Sequence, residues 1–305
     1  MVTILLAVYN GEKYLTEQLE SLLGQTFDDI KIVVRDDGST DNSINVIKDF
    51  CNKYPEKIFC ISGEPTGGAK QNFAALLDSC DDEYIMFCDQ DDVWVPDKVE
   101  KTLNAMQSAE AGDKSTPVLV HTDLMVVDET LNVISNSFFD FQKLSYNMNL
   151  PQLMVQNNVT GCTVMINRAL KEKCGAIPHE CAMHDWWLAL VATAFGKIEF
   201  LKQPTIMYRQ HSGNQVGAKA SYGLAFIKRK LSTLDEVRKN YNATYTQANA
   251  FLERYGECLG KEQYDLIKTY CEIPAMCKFK KIKTINKYGF KKCTRLRVIG
   301  QYVLM

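Results

Sequence analysis

A chain of 305 residues, 46% apolar and 24% charged, has room for one large α/β domain with an appendage or for two domains of ordinary size. Its formal net charge of −2 gives no reason to expect a nucleic-acid partner. No apolar run approaches the ~20 residues that span a bilayer, the first residues lack the basic start of a secretion signal, and eleven scattered cysteines without a CxxC or metal-finger spacing point to reduced thiols, so a cytoplasmic, non-integral protein is expected.

Val2–Tyr9 is almost wholly apolar and β-rich, as a strand buried on both faces requires, and Asn10-Gly11 breaks it. Leu15, Leu19, Leu22 and Leu23 then share one helical face. Ile30–Val34 predicts a second strand, ending at Asp36-Asp37-Gly38, with Asp41 placed to cap a helix that carries Ile44, Ile47 and Cys51. Ile58–Ile61 predicts a third strand, and Gly67-Gly68 opens a helix with Phe73, Leu76 and Leu77. Tyr84–Cys88 predicts a fourth strand, ending at Asp89-Gln90-Asp91-Asp92, with Pro96 at the start of the next helix. This alternation implies a mostly parallel sheet flanked by helices, which binds ligands at the carboxyl ends of its strands.

Further on, Val118–Val127 and Gly161–Asn167 read as strands, Met183–Phe195 as a helix closed by Gly196, and Ile198–Tyr208 as extended chain interrupted by Pro204. From about Ser221 the pattern turns helical, with Leu224, Ile227, Leu231, Leu234, Val237 and Tyr241 along one stretch and further helices near Tyr245–Tyr255 and Glu262–Lys278. Two regions are therefore expected, an α/β domain over 1–220 and a helical region over 221–305.

Asp89, Asp91 and Asp92 gather three carboxylates at the end of an apolar strand, where they would repel one another. A divalent cation, Mg²⁺ or Mn²⁺, removes that conflict and can hold a diphosphate as a leaving group. The plainer reading is an acidic turn that caps the next helix. Asp36-Asp37-Gly38-Ser39 is equally open: a turn, or carboxylates that accept from a pyrimidine or a ribose. Asp185, at the start of an apolar helix, is a helix cap or a general base. Its neighbours Trp186 and Trp187 are core or an apolar sugar platform. His211 is a surface histidine or a ligand to metal or diphosphate, and Arg209 could clamp phosphate.

Together these residues resemble the family 2 glycosyltransferases with a GT-A fold. Leu5-Leu6-Ala7-Val8-Tyr9-Asn10-Gly11 is similar to that family's first strand and nucleotide-binding turn. Asp36-Asp37-Gly38-Ser39-Thr40-Asp41 is similar to its second-strand signature, and Asp89-Gln90-Asp91-Asp92 to its DxD metal motif. His184-Asp185 stands where the family usually has Glu-Asp, and Tyr208-Arg209-Gln210-His211 resembles its late Arg-x-His element. The resemblance covers roughly residues 1–220. It implies an enzyme moving one sugar from a nucleoside-diphosphate donor in an inverting step with Asp185 as base. It also implies donor contacts from Val8, Tyr9, Asn10, Asp36, Asp37, Asn72, Asp89 and Gln90. Asp89, Asp91 and His211 would hold the divalent cation, and His184, Trp186, Trp187 and Arg209 would lie near acceptor or diphosphate. His184 departs from the usual Glu, which leaves any role of that Glu open. Asp-Gln-Asp-Asp with His-Asp-Trp-Trp looks most like the bacterial rhamnosyltransferase branch, which uses dTDP-L-rhamnose to build surface polysaccharides. UDP-glucose, UDP-galactose and a UDP-N-acetylhexosamine are the alternative donors.

No Asp or Glu follows Glu272, whereas Lys278, Lys280, Lys281, Lys283, Lys287, Lys291, Lys292, Arg295 and Arg297 do, interleaved with Phe279, Ile282, Ile285 and Val298. A basic amphipathic tail of this kind suits an anionic membrane surface, where lipid-linked glycan acceptors lie, or is a solvated helix. Three other classes fit less well. A phosphoreceiver module would carry its acceptor Asp after the third strand. A dehydrogenase would carry GxGxxG after the first. A non-catalytic nucleotide-sugar-binding subunit would not need every candidate base and metal ligand found here.

Overall fold

The computed structural model of the protein describes residues 1–211 and 234–304. The expected helical positions Leu224, Ile227 and Leu231, and the turn Ser212-Gly213-Asn214, lie outside the described residues. Contacts divide the rest into two compact units interleaved along the chain. The first takes residues 1–138, 159–176 and 195–211; the second takes 139–158, 177–194 and 234–304. Two stretches of the expected 1–220 domain thus cluster with the C-terminal helices.

The first unit is built on one sheet. Its strands are β1 (Val2–Val8), β2 (Ile30–Asp36), β3 (Ile58–Ile61), β4 (Tyr84–Cys88), β5 (Val93–Trp94), β6 (Val118–Val127), β7 (Val133–Ser135), β8 (Met165–Asn167) and β9 (Lys197–Arg209). They lie in the order β3-β2-β1-β4-β8-β6-β9-β5, with β7 pairing to β6. The β3-β2-β1-β4 half is parallel, as the alternating pattern predicts. β1 is almost fully buried because helices α1 (Leu15–Leu23), α2 (Ser43–Lys53), α3 (Ala69–Asp78) and α4 (Lys98–Glu110) clothe this sheet. The stripe Leu15, Leu19 and Leu22 is buried, as its spacing requires.

The other half is mixed. β8 runs antiparallel to both β4 and β6, and β6 runs parallel to β9. The segment expected as one strand over 161–167 is a 3₁₀ turn, Gly161–Thr163, followed by only three strand residues. β9 does not break at Pro204; the register to β6 shifts there, between Thr122 and Asp123, and a bulge is where a sheet accepts proline. Because β8 reverses the direction twice, β1, β2, β4 and β9 all end on the same edge.

The second unit is helical. It holds α5 (Phe138–Gln142, of which 138 belongs to the first unit), α6 (Leu150–Val155), α8 (His184–Phe195, of which 195 belongs to the first unit) and helices over Leu234–Tyr255, Lys261–Glu272, Lys278–Tyr288 and Arg295–Leu304, whereas α7 (Arg168–Cys174) belongs to the first unit. Trp187 sits at its centre, fully buried, edge-on to Phe251 at 5.4 Å and against Tyr255 at 6.1 Å. Tyr270 extends this core to Tyr245 and Phe290, at 5.0 and 4.9 Å. The helix expected to run on to Lys278 stops at Glu272, where Pro274 opens a 3₁₀ turn.

Candidate active site

The shared edge gathers the turn after β1, the acidic ends of β2 and β4, and the end of β9. Asn10 takes a left-handed φ of 49°, which asparagine tolerates, and turns the chain sharply after Tyr9. That turn is pinned from two directions. Ser39 Oγ accepts from the Asn10 N–H at 2.8 Å, Ser43 Oγ from Gly11 N–H at 2.8 Å, and Asn10 Oδ1 from Thr40 N–H at 2.8 Å. From the β4 side, Gln90 accepts from the Tyr9 N–H at 2.7 Å and donates to the Tyr9 carbonyl at 2.8 Å. The Tyr9 backbone is thereby fixed, while the residue as a whole is 54% exposed at the rim.

Asp37 is buried and fully engaged. Its carboxylate accepts from Thr66 N–H at 2.6 Å, Thr66 Oγ1 at 2.7 Å, the N–H groups of Gly67 and Gly68 at 3.1 Å each, and Arg35 at 3.0 Å. Burial opposes its ionisation, but these bonds outweigh it and hold the carboxyl below the usual range. Arg35 also donates to Asn72 Oδ1 at 2.9 Å, and Asn72 donates to the carbonyls of Arg35 and, at 3.4 Å, Val8. Asp37, Arg35 and Asn72 form one internal network that shapes the loop before α3. Asp36 holds its own turn, accepting from the N–H of Gly38 and Ser39 and from Ser39 Oγ. Asp41 does not cap a helix directly; it accepts from Ser43 N–H at 3.0 Å and Glu12 N–H at 3.0 Å.

After β4, Asp91 Oδ2 lies 2.8 Å from His211 Nε2. The His211 ring stacks against Tyr14, centroids 4.7 Å apart. Asp89, Asp92 and Cys162 also bring one ligand atom each within 4.8 Å of one another. Asp92 and Cys162 are buried, however. Burial, then the charges of Asp91 and Asp89, push the Asp92 carboxyl well up, and its Oδ1 accepts the Arg209 N–H at 3.1 Å. Burial, then Asp92, pushes the Cys162 thiol well up, and a soft sulfur is in any case a poor match for a hard cation. The expected cation set is therefore split: Asp91 and His211 meet, Asp89 lies instead with Asp92 and Cys162, and among the described residues Asp89, Asp91 and His211 do not form one cluster, although carboxylates and an imidazole are donors that Mn²⁺ or Mg²⁺ accepts.

Arg209 has a different role from the expected phosphate clamp. It is buried, donates to the carbonyls of Asp91 at 2.9 Å and Glu129 at 2.7 Å, ion-pairs with Glu17, and lies over the Tyr14 ring at 4.8 Å. It fastens the acidic loop to α1 and to the turn before β7. Glu129 further binds the Tyr14 hydroxyl at 2.7 Å and pairs with Lys13. Glu17, Glu129 and Tyr14 were not legible as site residues, because their partners are distant in sequence, 115 positions for the Tyr14–Glu129 bond and 192 for the Glu17–Arg209 pair.

Asp185, His184, Trp186 and Trp187 lie in the second unit. Asp185 is nearly buried in the first turn of α8 and accepts from Trp186 N–H at 2.7 Å. An acidic group suits that end of a helix. Trp186 spends its indole N–H on the Leu153 carbonyl at 2.6 Å. Trp187 is core rather than sugar platform, because α8 is buried on nearly every side. His184 is core as well, and burial pushes it down to about 3, which keeps it neutral.

Comparison with known proteins bears on this geometry. The model of the family described as glycosyl transferase family 2 matches residues 3–172. The chain belongs to that family. It is an enzyme of the glycosyltransferase class, and its matched segment carries β1, the Asp36-Asp37 turn and the Asp89–Asp92 loop. The dTDP-rhamnosyl transferase RfbG of Shigella flexneri is 31% identical over 250 residues, covering 77% of this chain and 80% of that protein. The putative teichuronic acid biosynthesis glycosyltransferase TuaG of Bacillus subtilis is 27% identical over 262 residues, covering 83% and 97%. Among solved structures, residues 1–349 of S. aureus TarS in complex with UDP-GlcNAc superpose with a TM-score of 0.55 at 18% identity, covering 94% of this chain and 90% of that one. The mannosyltransferase PcManGT of Pyrobaculum calidifontis, in complex with GDP-Man and Mn²⁺, gives 0.53 at 14%, covering 94% and 84%. The family 2 fold is thus the GT-A arrangement that the sequence resemblance implies.

Proposed function

We propose that this family 2 enzyme transfers a single L-rhamnose from dTDP-L-rhamnose to a growing, lipid-linked surface polysaccharide, with inversion at the anomeric carbon. The observation that carries the donor-binding half is the edge where Asp91 and His211 meet 2.8 Å apart beside the pinned Tyr9 turn. The likeness to RfbG supports rhamnose. The first unit would hold the donor, with the ring of the exposed Tyr9 as a platform for the base, Asp36 toward the ribose, and Val8, Asn10 and Asn72 shaping the pocket wall. Asp37 and Gln90 would act through the loops they hold.

Asp89, Asp91 and His211 would bind the cation, Mn²⁺ or Mg²⁺, which would supply charge neutralisation to the departing diphosphate. Asp185 takes the proton from the acceptor hydroxyl as that oxygen bonds to the anomeric carbon and the bond to the diphosphate oxygen breaks.

The test is turnover of dTDP-L-rhamnose with a synthetic lipid-diphosphate glycan, followed by NMR of the product. The anomeric configuration should be opposite to that of the donor, and Asp185→Asn should bind donor normally while losing most of its turnover. Retention of configuration, or near-normal turnover by Asp185→Asn, would remove the inverting mechanism or its base. Turnover of a UDP-sugar alone would replace the donor.

A further inference from the structure

The two last helices present an apolar stripe to the outside. Phe279 is 80% exposed, Val303 66%, Ile299 58% and Leu296 36%. Leu296, Ile299 and Val303 are spaced by three and four, so they share one face of the helix Arg295–Leu304. Lys278 Nζ donates to the Val303 carbonyl at 2.7 Å, which ties the start of the helix Lys278–Tyr288, and so Phe279, to the end of that stripe. The opposite face of the last helix is fastened inward: Gln301, its one buried residue, donates to the Phe290 carbonyl at 2.7 Å and accepts from Lys292 N–H at 3.2 Å.

The charge around the stripe has one sign. No acidic residue follows Glu272, and Lys278, Lys280, Lys283, Lys287 and Arg295 are exposed on these helices. Beside the stripe lies a groove of about 410 Å³ whose lining includes Lys291, Lys292, Arg295, Val298 and Ile299, mixing cationic and apolar groups. No helix among the described residues is long and apolar enough to cross a membrane.

We propose that this face docks on the surface of an anionic lipid bilayer, with Phe279, Leu296, Ile299 and Val303 entering the headgroup region and the surrounding lysines and Arg295 meeting lipid phosphates. A bilayer interface supplies an apolar layer and a layer of negative charge in the same plane, which is the complement of what these helices expose. The helices lie along the surface rather than through it. The proposal rests on the second unit alone and holds whatever donor the first unit takes.

The test is sedimentation of the full chain with vesicles of phosphatidylcholine, alone and mixed with phosphatidylglycerol, at low and high salt. Binding should require phosphatidylglycerol and weaken as salt rises. Phe279→Ser with Ile299→Ser and Val303→Ser should reduce partitioning at least about tenfold. Lys280→Gln and Lys283→Gln should reduce it roughly fivefold each. Both sets of positions are exposed, so the thermal midpoint should not move. Equal binding to both vesicle types, a wild-type chain that stays in the supernatant, or a triple apolar variant that sediments like wild type would each overturn the proposal. A wild type that ignores vesicles but self-associates, and a triple variant that does not, would make the face a contact between copies instead.

Discussion

His211 and Asp91, 120 positions apart in sequence, meet at 2.8 Å where β5, directly after the acidic loop, pairs antiparallel with the end of β9. Tyr14 supports the imidazole from one side, and the buried Arg209 next to it fastens the Asp91 backbone. The pair is held by independent elements, Tyr14 and Arg209. Asp91→Asn and His211→Ala should therefore leave the fold intact and weaken Mn²⁺-dependent donor binding, His211→Ala by about 10–100-fold and Asp91→Asn by more. Calorimetric titration of donor with and without chelator measures both. Unchanged affinity in Asp91→Asn would take the metal away from this loop.

Gln90 and Gly11 make a second, separable prediction. The Gln90 amide pairs with both polar atoms of the Tyr9 backbone, and a Cβ on Gly11 would run into that amide. Gly11→Ala and Gln90→Ala should lose the same contact, each at a stability cost near 1 kcal/mol and each with weaker donor binding. The double variant should be little worse than either single one, because both break one interaction. A fully additive loss of donor affinity would separate the two residues.

The Asp37 network predicts an acid limit. Its depressed carboxyl contributes stability that is fully present above the unfolded value of about 3.9 and is lost as pH falls through the lower folded value. Wild-type stability should thus drop below about pH 4. Asp37→Ala should flatten that drop and cost about 3–5 kcal/mol at pH 7, because Arg35 would be left buried without its charged partner. Urea denaturation at several pH values decides it; a variant as acid-sensitive as wild type would count against the network.

Lys98 carries the opposite sign. It is fully buried beside the Trp94 ring at 4.5 Å, and burial pushes its ammonium down to about 8. Between about pH 8 and 10.4 the unfolded chain binds more protons at this residue than the folded one, so its contribution to stability rises with pH across that window. Lys98→Met should stabilise the protein at pH 7 by roughly 1–3 kcal/mol, and the advantage should shrink toward pH 10. An advantage that does not change with pH would mean the ammonium is not what burial penalises.

The parts of the fold legible in the sequence are those where one period dominates. β1, β2 and β4 are buried on both faces and read as apolar runs, and α8 ends where Gly196 stands. β5 was not legible, because Val93-Trp94 is two residues between an acidic loop and Pro96 and borrows its order from β9. α6 carries a local signature of its own, with Asn149 as its cap, accepting from Gln152 N–H at 3.1 Å, and Pro151 in its first turn. At the site, the family resemblance picked out Asp91 and His211, which do meet. Nothing local revealed that Asp37 is spent on Thr66, Arg35 and the loop N–H groups, that Gln90 is spent on the Tyr9 backbone, that Arg209 is buried behind the loop, or that Trp187 is core. Those outcomes depend on partners from distant elements, which no local pattern encodes.

The most direct test of the account is calorimetric titration of the purified protein with dTDP-L-rhamnose, UDP-glucose and UDP-N-acetylglucosamine, each in Mn²⁺ and again in EDTA. The account predicts binding of dTDP-L-rhamnose in Mn²⁺, its loss in EDTA, and weaker or no binding of the two UDP-sugars. Tight binding that ignores EDTA, or binding of no nucleotide sugar by a folded protein, would contradict it.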